Sequence, residues 1–273
     1  IASDAKKTEP TYTPPTGKTL PYNGQEQALI NAGTVTGGTM MYRLGTTGEY
    51  SMAIPKAKDV GEYTVYFKVV GDATHNNIED ESTMKVTAKI TAASAAVTIT
   101  GASATKTYGD KDFTLTASVK NPGTNGKWAW TSGDNTVLQV TDNNDGTATV
   151  KVLKASDTAV EITAEYTSDN TTAEKATVSI KVNKAKPTGA PKYTPITSSG
   201  KKLSDAKLTA PDGTFSVPGT VKWVGADGKE LPETTEVKAN TAYKWIFTPT
   251  GVAAKNYTVA EGTVTLYSVS TGG

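Results

Sequence analysis

Hydrophobic and polar residues alternate along short stretches of this chain, and the stretches recur. In Tyr63-Thr64-Val65-Tyr66-Phe67 and in Tyr243-Lys244-Trp245-Ile246-Phe247, a side-chain period of two puts Tyr63, Val65 and Phe67 on one face and Tyr243, Trp245 and Phe247 on the matching face. Both stretches open the same spacing, Tyr, three residues, Phe, eight residues, Asn, which ends at Asn76 and at Asn256. A further strand follows each copy, over Met84–Ala88 and Thr263–Tyr267. About 95 residues of different pattern lie between the copies. The repeat predicts two related blocks around a third, with boundaries near Ile90 and Ala185 and domains over 1–90, 91–185 and 186–273. The second boundary falls at Lys184-Ala185-Lys186-Pro187-Thr188, a short polar joint whose proline cannot donate to a ladder.

The middle block reads as strands joined by tight turns. Trp128-Ala129-Trp130-Thr131-Ser132, Val137–Val140 and Thr147–Val152 are strand-like. Between the last two, Asp142-Asn143-Asn144-Asp145-Gly146 supplies residues that tolerate left-handed backbone. A second hairpin runs from Val160–Tyr166 through Asp169-Asn170 to Ala176–Val182. Short strands at regular spacing with turns between them predict β-sandwiches.

Composition strengthens the all-β reading and narrows the chemistry. Threonine accounts for 48 of 273 residues, and its β-branch suits a pleated, half-buried surface. The apolar fraction, 36%, suits several small cores better than one large one. There is no cysteine and a single histidine, which excludes a disulfide framework, a thiol nucleophile and a multi-histidine metal site. The net charge is +1, and the blocks carry about −2 over 8–90, −1 over 91–185 and +3 over 186–273. None of these totals marks a nucleic-acid or other polyanion partner. No apolar run approaches the roughly 18 residues of a membrane span. The chain begins Ile1-Ala2-Ser3 without start methionine or signal peptide, and so reads as a segment of a longer secreted protein.

Asp59-Val60-Gly61-Glu62-Tyr63-Thr64-Val65 follows the D-x-G-x-Y-x-C pattern of an immunoglobulin F strand, with Val65 at the cysteine position. Tyr63 stands where a tyrosine-corner residue bonds its hydroxyl back to upstream backbone. Tyr22–Leu29, Gly33–Met40, Gly61–Val70 and Gly71–Asn76 together resemble the bacterial Ig-like repeat modules of Gram-positive gut-bacterial surface and secreted proteins. Val217–Trp223 with Asn256-Tyr257 resembles a related module. Trp130-Thr131-Ser132 and Asp145–Val150 are similar to the bacterial Ig-like group 2 class. The resemblance implies three tandem immunoglobulin-like β-sandwich domains in an elongated arrangement. It implies an extracellular, cell-surface or cell-wall location and a non-catalytic stalk or adhesive segment acting as a monomer, with surface glycans or host proteins as partners and no cofactor. A carbohydrate- or host-glycoprotein-binding module, accessory to a secreted glycosidase, is the alternative.

Candidate chemistry is sparse. His75, in Gly-Asp-Ala-Thr-His-Asn-Asn, reads as a solvated loop histidine, since no nucleophile or orienting carboxylate is marked for it. Counted from Asp142, the fifth position of an EF-hand register is Gly146, so that stretch reads as a hairpin turn, not a calcium loop. Leu231-Pro232-Glu233-Thr234-Thr235 approaches the L-P-x-T-G sortase pattern, but a core strand follows it and it reads as a turn. Lysine outnumbers arginine 27 to 1, which raises Lys–Asn crosslinks, yet the Tyr-x-Leu-x-Glu-Thr strand typical of one crosslinked family is absent. Aromatic rings offer flat faces for sugars. Trp130, Trp223 and Trp245 are expected in the core. Trp128, Tyr66 and Tyr42 are the expected surface rings and the candidate ligand-binding residues.

Overall fold

In a computed structural model of the chain, which describes residues 6–270, nearly all regular structure is β-strand. Two compact units are distinguished. The first holds the described residues up to Thr98 with Ala117–Ala129 and Ala164–Ala176. The second holds Ile99–Thr116, Trp130–Thr163 and the described residues from Thr177 on.

In the first unit the strands Thr19–Pro21, Lys85–Thr91, Gly61–Gly71 and Gly38–Leu44 form one sheet in that order. Along Gly61–Gly71, Val65, Phe67 and Val69 are buried while Tyr66 and Lys68 point the other way. They join Leu29, Ile30, Met84, Ala88 and Ile90 in one core. Val65 is fully buried, so the F-strand cysteine position is filled by packed hydrocarbon. The Tyr63 hydroxyl donates to the carbonyl of Asp59 at 2.5 Å, the expected tyrosine corner.

In the second unit Gly219–Val224, Ala242–Pro249 and Ala260–Thr265 form an antiparallel sheet with Trp223 opposite Trp245. Tyr243, Trp245 and Phe247 are buried as their spacing predicts. Phe215 stacks on Phe247 at 3.8 Å between centroids. The last strand starts earlier than expected because Gly262 lies opposite Trp245. A Cβ there would stand 2.6 Å from the indole, and only glycine lets the strand pass beneath the ring. The Tyr243 hydroxyl accepts from the Lys238 amide at 2.8 Å and donates to the Glu236 carbonyl, repeating the Tyr63 device. In the same unit Phe113–Thr116, Thr147–Val152 and Leu138–Asp142 pair antiparallel. The turn between the last two has Asn144 at φ 58° and Gly146 at φ 87°, the left-handed backbone its composition predicts. Trp130 and Trp223 are buried. Leu231–Thr235 is a turn, with the Thr235 amide and hydroxyl on the Pro232 carbonyl. Threonines fill outward positions, as at Thr114 and Thr116 on either side of buried Leu115.

One pairing recurs. Thr19–Pro21 lies parallel to Lys89–Thr91, Thr105–Thr107 parallel to Lys181–Asn183, and Ile196 forms a parallel bridge with Tyr267. In the first two expected blocks a short early strand meets the last one side by side in the same direction, and in the third a single parallel bridge, just past the last strand, takes that place.

Leu29→Ala is expected to cost about 3 kcal/mol in chemical denaturation, as a large-to-small change in a filled core. Tyr63→Phe, which removes only the corner hydrogen bond, is expected to cost about 1 kcal/mol. Equal costs would mean that the corner, not the core, holds this sheet.

Candidate functional site

Three aromatic residues are the candidate ligand contacts, and the structure separates them. Tyr42 is buried, not a surface residue. It shares the inward face of Gly38–Leu44 with Met40, and its hydroxyl accepts the Gly33 amide at 2.9 Å. The run Met40-Met41-Tyr42 is apolar in both phases, so alternation alone could not assign a face. Tyr66 points outward and is half-buried. Its cross-strand partner is Arg43, whose guanidinium lies 5.4 Å from the Tyr66 ring and 4.7 Å from Tyr50. Arg43 also pairs with Glu81, and Lys68 stands 4.5 Å over Tyr50. The faces of Tyr66 and Tyr50 are thus taken by the chain's own cations, contacts worth roughly 0.5–1 kcal/mol each where exposed. Trp128 is half-buried, tilted against Tyr166 at 4.7 Å and packed on a small cluster with Ala95 and Val97.

His75 has a partner that its sequence context did not reveal. Its Nδ1 lies 2.6 Å from Asp72 Oδ1, and its ring rests against Gly37, where a Cβ would meet Nε2 at 2.6 Å. The histidine hydrogen bond, ahead of the Thr74 amide, holds the Asp72 carboxyl below its ordinary value. The Thr74 hydroxyl stands 3.1 Å from the same Nδ1 and donates to Asp72 Oδ1 at 3.1 Å, so three side chains within four residues close this loop. Among the described residues no group of three or more His, Cys, Asp or Glu stands close enough to hold a metal ion.

Two loops, one in each unit, are each organised around a single asparagine side chain. In the first unit Asn170 has φ 74°, the left-handed turn its sequence predicts. Its side-chain oxygen accepts the Val60 amide at 2.8 Å, and its nitrogen donates to Asp59 at 3.2 Å. Beside it Ala93–Ser94 pairs parallel with Thr171–Thr172. Glu174 accepts the amides of Ala96 and Val97 at 2.8 and 3.0 Å and the Ser94 hydroxyl. Those donors, the hydroxyl first, hold its carboxyl below the ordinary glutamate value.

In the second unit Asn256 ends the helical turn Ala253–Asn256. Its side-chain oxygen accepts the Ala155 amide at 2.9 Å, and its carbonyl accepts the Ala185 amide at 2.9 Å. Thr258 returns a bond to the Ala185 carbonyl at 2.8 Å, Lys184 Nζ reaches the Ala254 carbonyl at 2.9 Å, and Tyr108 packs edge-on to Tyr257. The start of the stretch read as a short polar joint is therefore hydrogen-bonded, through Lys184 and Ala185, to the segment 254–258. Spacing pointed to Asn256 as a repeat position; nothing local pointed to Ala155 as its partner.

No protein-family model matches the chain, and no curated protein matches it either. Among solved structures it is similar to extracellular cadherin domains 3–6 of protocadherin gamma B2, at 9% identity over 95% of this chain and 72% of that one, TM-score 0.34. It is similar to the human desmocollin-1 ectodomain, at 13% identity over 96% and 61%, TM-score 0.34. A third is the fibronectin(III)-like modules of Clostridium thermocellum CbhA, at 17% identity over 64% and 94%, TM-score 0.26. At these scores the likenesses bear on neither activity nor partner.

Asn170→Gly keeps the left-handed backbone and deletes the amide; Asn256→Ala deletes the other. Each is expected to speed hydrogen exchange at one amide, Val60 or Ala155, by about tenfold, the loss of roughly 1.4 kcal/mol of local protection. Unchanged exchange would show the contacts to be incidental. Because Glu174 is held below its ordinary value, its contribution is present at neutral pH and is lost as pH falls through and below the ordinary carboxylate range. Protection of Ala96 and Val97 should fall on acidification in the native chain. In Glu174→Gln it should already be low at pH 7 and flat with pH.

Proposed function

We propose that this chain is a non-catalytic spacer or adhesive segment of an extracellular bacterial surface protein, built as three immunoglobulin-like sandwiches over 1–90, 91–185 and 186–273. The observation that carries the reading is the parallel pairing of an early and the last strand in the first two blocks, with a single parallel bridge, Ile196 to Tyr267, at the matching place in the third. Two parallel strands run from the same pole to the other. A block bounded by such a pair takes its chain in at one pole and passes it on at the opposite pole, which is the connectivity that an end-to-end series requires. Hairpin-bounded blocks would return the chain to its starting side. The hydrogen-bonded loops at Asn170 and Asn256 lie where such blocks would meet, and they favour firm over freely hinged joints. No helix among the described residues is long and apolar enough to cross a membrane.

Pulling the whole chain by its ends tests the reading. Three unfolding steps are expected, each releasing about 300 Å, from roughly 90 residues at up to ~3.6 Å each. A single step for the whole chain would overturn the three-block division.

A second reading, recognition of glycans or host glycoproteins, is favoured by the half-exposed ring of Trp128. A glycan-array signal abolished by Trp128→Ala would support it, and no signal across a broad array would count against it.

A further inference from the structure

Block charge totals near zero argue against a polyanion partner, but they hide a local concentration. A cleft of about 910 Å³ opens in the second unit, within the size range of ligand sites, roughly 300–1,000 Å³. Lys154, Lys181, Lys184 and Lys255 line it against Asp134 and Asp157. Three separate stretches deliver these lysines: the loop after Thr147–Val152, the end of Glu174–Asn183 with the residue after it, and the helical turn Ala253–Asn256.

Lys184 is committed to the Ala254 carbonyl at 2.9 Å. Among the described residues, Lys154, Lys181 and Lys255 have no carboxylate within ion-pair distance. Asp134 gives its Oδ1 to the Thr136 amide and hydroxyl; these donors first, and the Lys154 charge at longer range, hold its carboxyl below the ordinary value. The four lysines outnumber the two carboxylates that line the cleft with them, and the excess ammonium groups repel one another, a cost that a bound anion offsets. The walls are fixed before any ligand arrives. The Ala155 amide is held by Asn256, the Ser156 amide by the Val182 carbonyl at 3.0 Å, and the Thr258 amide by Ala185. Preorganisation of this kind lowers the ordering cost of binding.

We propose that this cleft binds an acidic oligosaccharide through its carboxylates, with Lys154, Lys181 and Lys255 as the anion contacts. The lining favours a hydroxylated ligand over other polyanions. It contains no aromatic side chain on which a nucleic-acid base could stack, and Ser156, Asn183 and Thr258 add polar groups suited to sugar hydroxyls. Asn256 acts as a positioning residue that holds the wall carrying Ala155. The site shares no lining residue with Trp128 or Tyr66 and does not depend on the spacer reading.

The test is a titration of the whole chain, followed by amide chemical shifts and calorimetry. The probes are trigalacturonate, a neutral galactose trimer and inorganic tripolyphosphate. Trigalacturonate is expected to shift Lys154–Asp157, Lys181–Lys184 and Lys255 saturably, with an affinity that falls as salt screens the charges. The neutral trimer should bind at least tenfold more weakly. Lys154→Gln/Lys181→Gln/Lys255→Gln should lose tenfold or more with an unchanged melting curve, and Asn256→Ala should lose affinity with every lysine in place. No saturable shifts, equal binding of the neutral trimer, or full affinity in the triple variant would overturn the proposal. Tighter binding of tripolyphosphate would overturn the sugar assignment by showing a phosphate site.

Discussion

Parallel pairing between an early strand and the last strand is the constraint on which the rest of the structure depends. A two-residue turn cannot make a parallel pair; the chain must travel through a whole block before the partner strand arrives. The pairing of Thr19–Pro21 with Lys89–Thr91 therefore forms only when the strands between have found their places around Leu29, Val65 and Phe67. Long-range pairing of this kind is slow to form. Pro21 sits at the end of its strand and at the edge of its sheet, where a missing N–H costs the ladder little.

Loops leave backbone amides without ladder partners, and here short polar side chains take some of them up. Asn170 and Asn256 each accept a backbone N–H, from Val60 and from Ala155. Glu174 takes two amides and a hydroxyl at once. Single bonds of this kind are worth about 1 kcal/mol, so such a joint is held by the sum of several and can yield one bond at a time. The absence of cysteine has the same consequence inside the sheets. With Val65 at the disulfide position, burial and the tyrosine corners at Tyr63 and Tyr243 hold what a covalent bridge would hold elsewhere.

Charge is managed locally too. The single arginine is enclosed between Tyr50 and Tyr66 and paired with Glu81, a use of a cation that stiffens a sheet face. Among the described residues, three lysines around the second-unit cleft make no close ion pair and outnumber the carboxylates beside them. The two arrangements contribute similarly to net charge and differently to chemistry, because a cation already covered by rings and a carboxylate is not free to bind, whereas an unpaired one is.

Much of this was legible from the residues alone. Period-two alternation assigned the inward faces of Gly61–Gly71 and Ala242–Pro249, turn chemistry placed Asn144, Gly146 and Asn170, and the Tyr-Phe-Asn spacing marked the repeat. These are local properties: backbone sterics and side-chain period act within a few residues and need no partner. Tertiary structure alone decided the facts that depend on distant partners. It put Tyr42 inside: Met41 and Tyr42 are both apolar, and the face that packs Met40 into the core carries Tyr42 with it. It gave His75 its carboxylate and Asn256 its amide 101 residues away. It drew lysines from three stretches into one cleft. Composition could count those lysines, but only the closure of the fold sets which of them face each other across solvent.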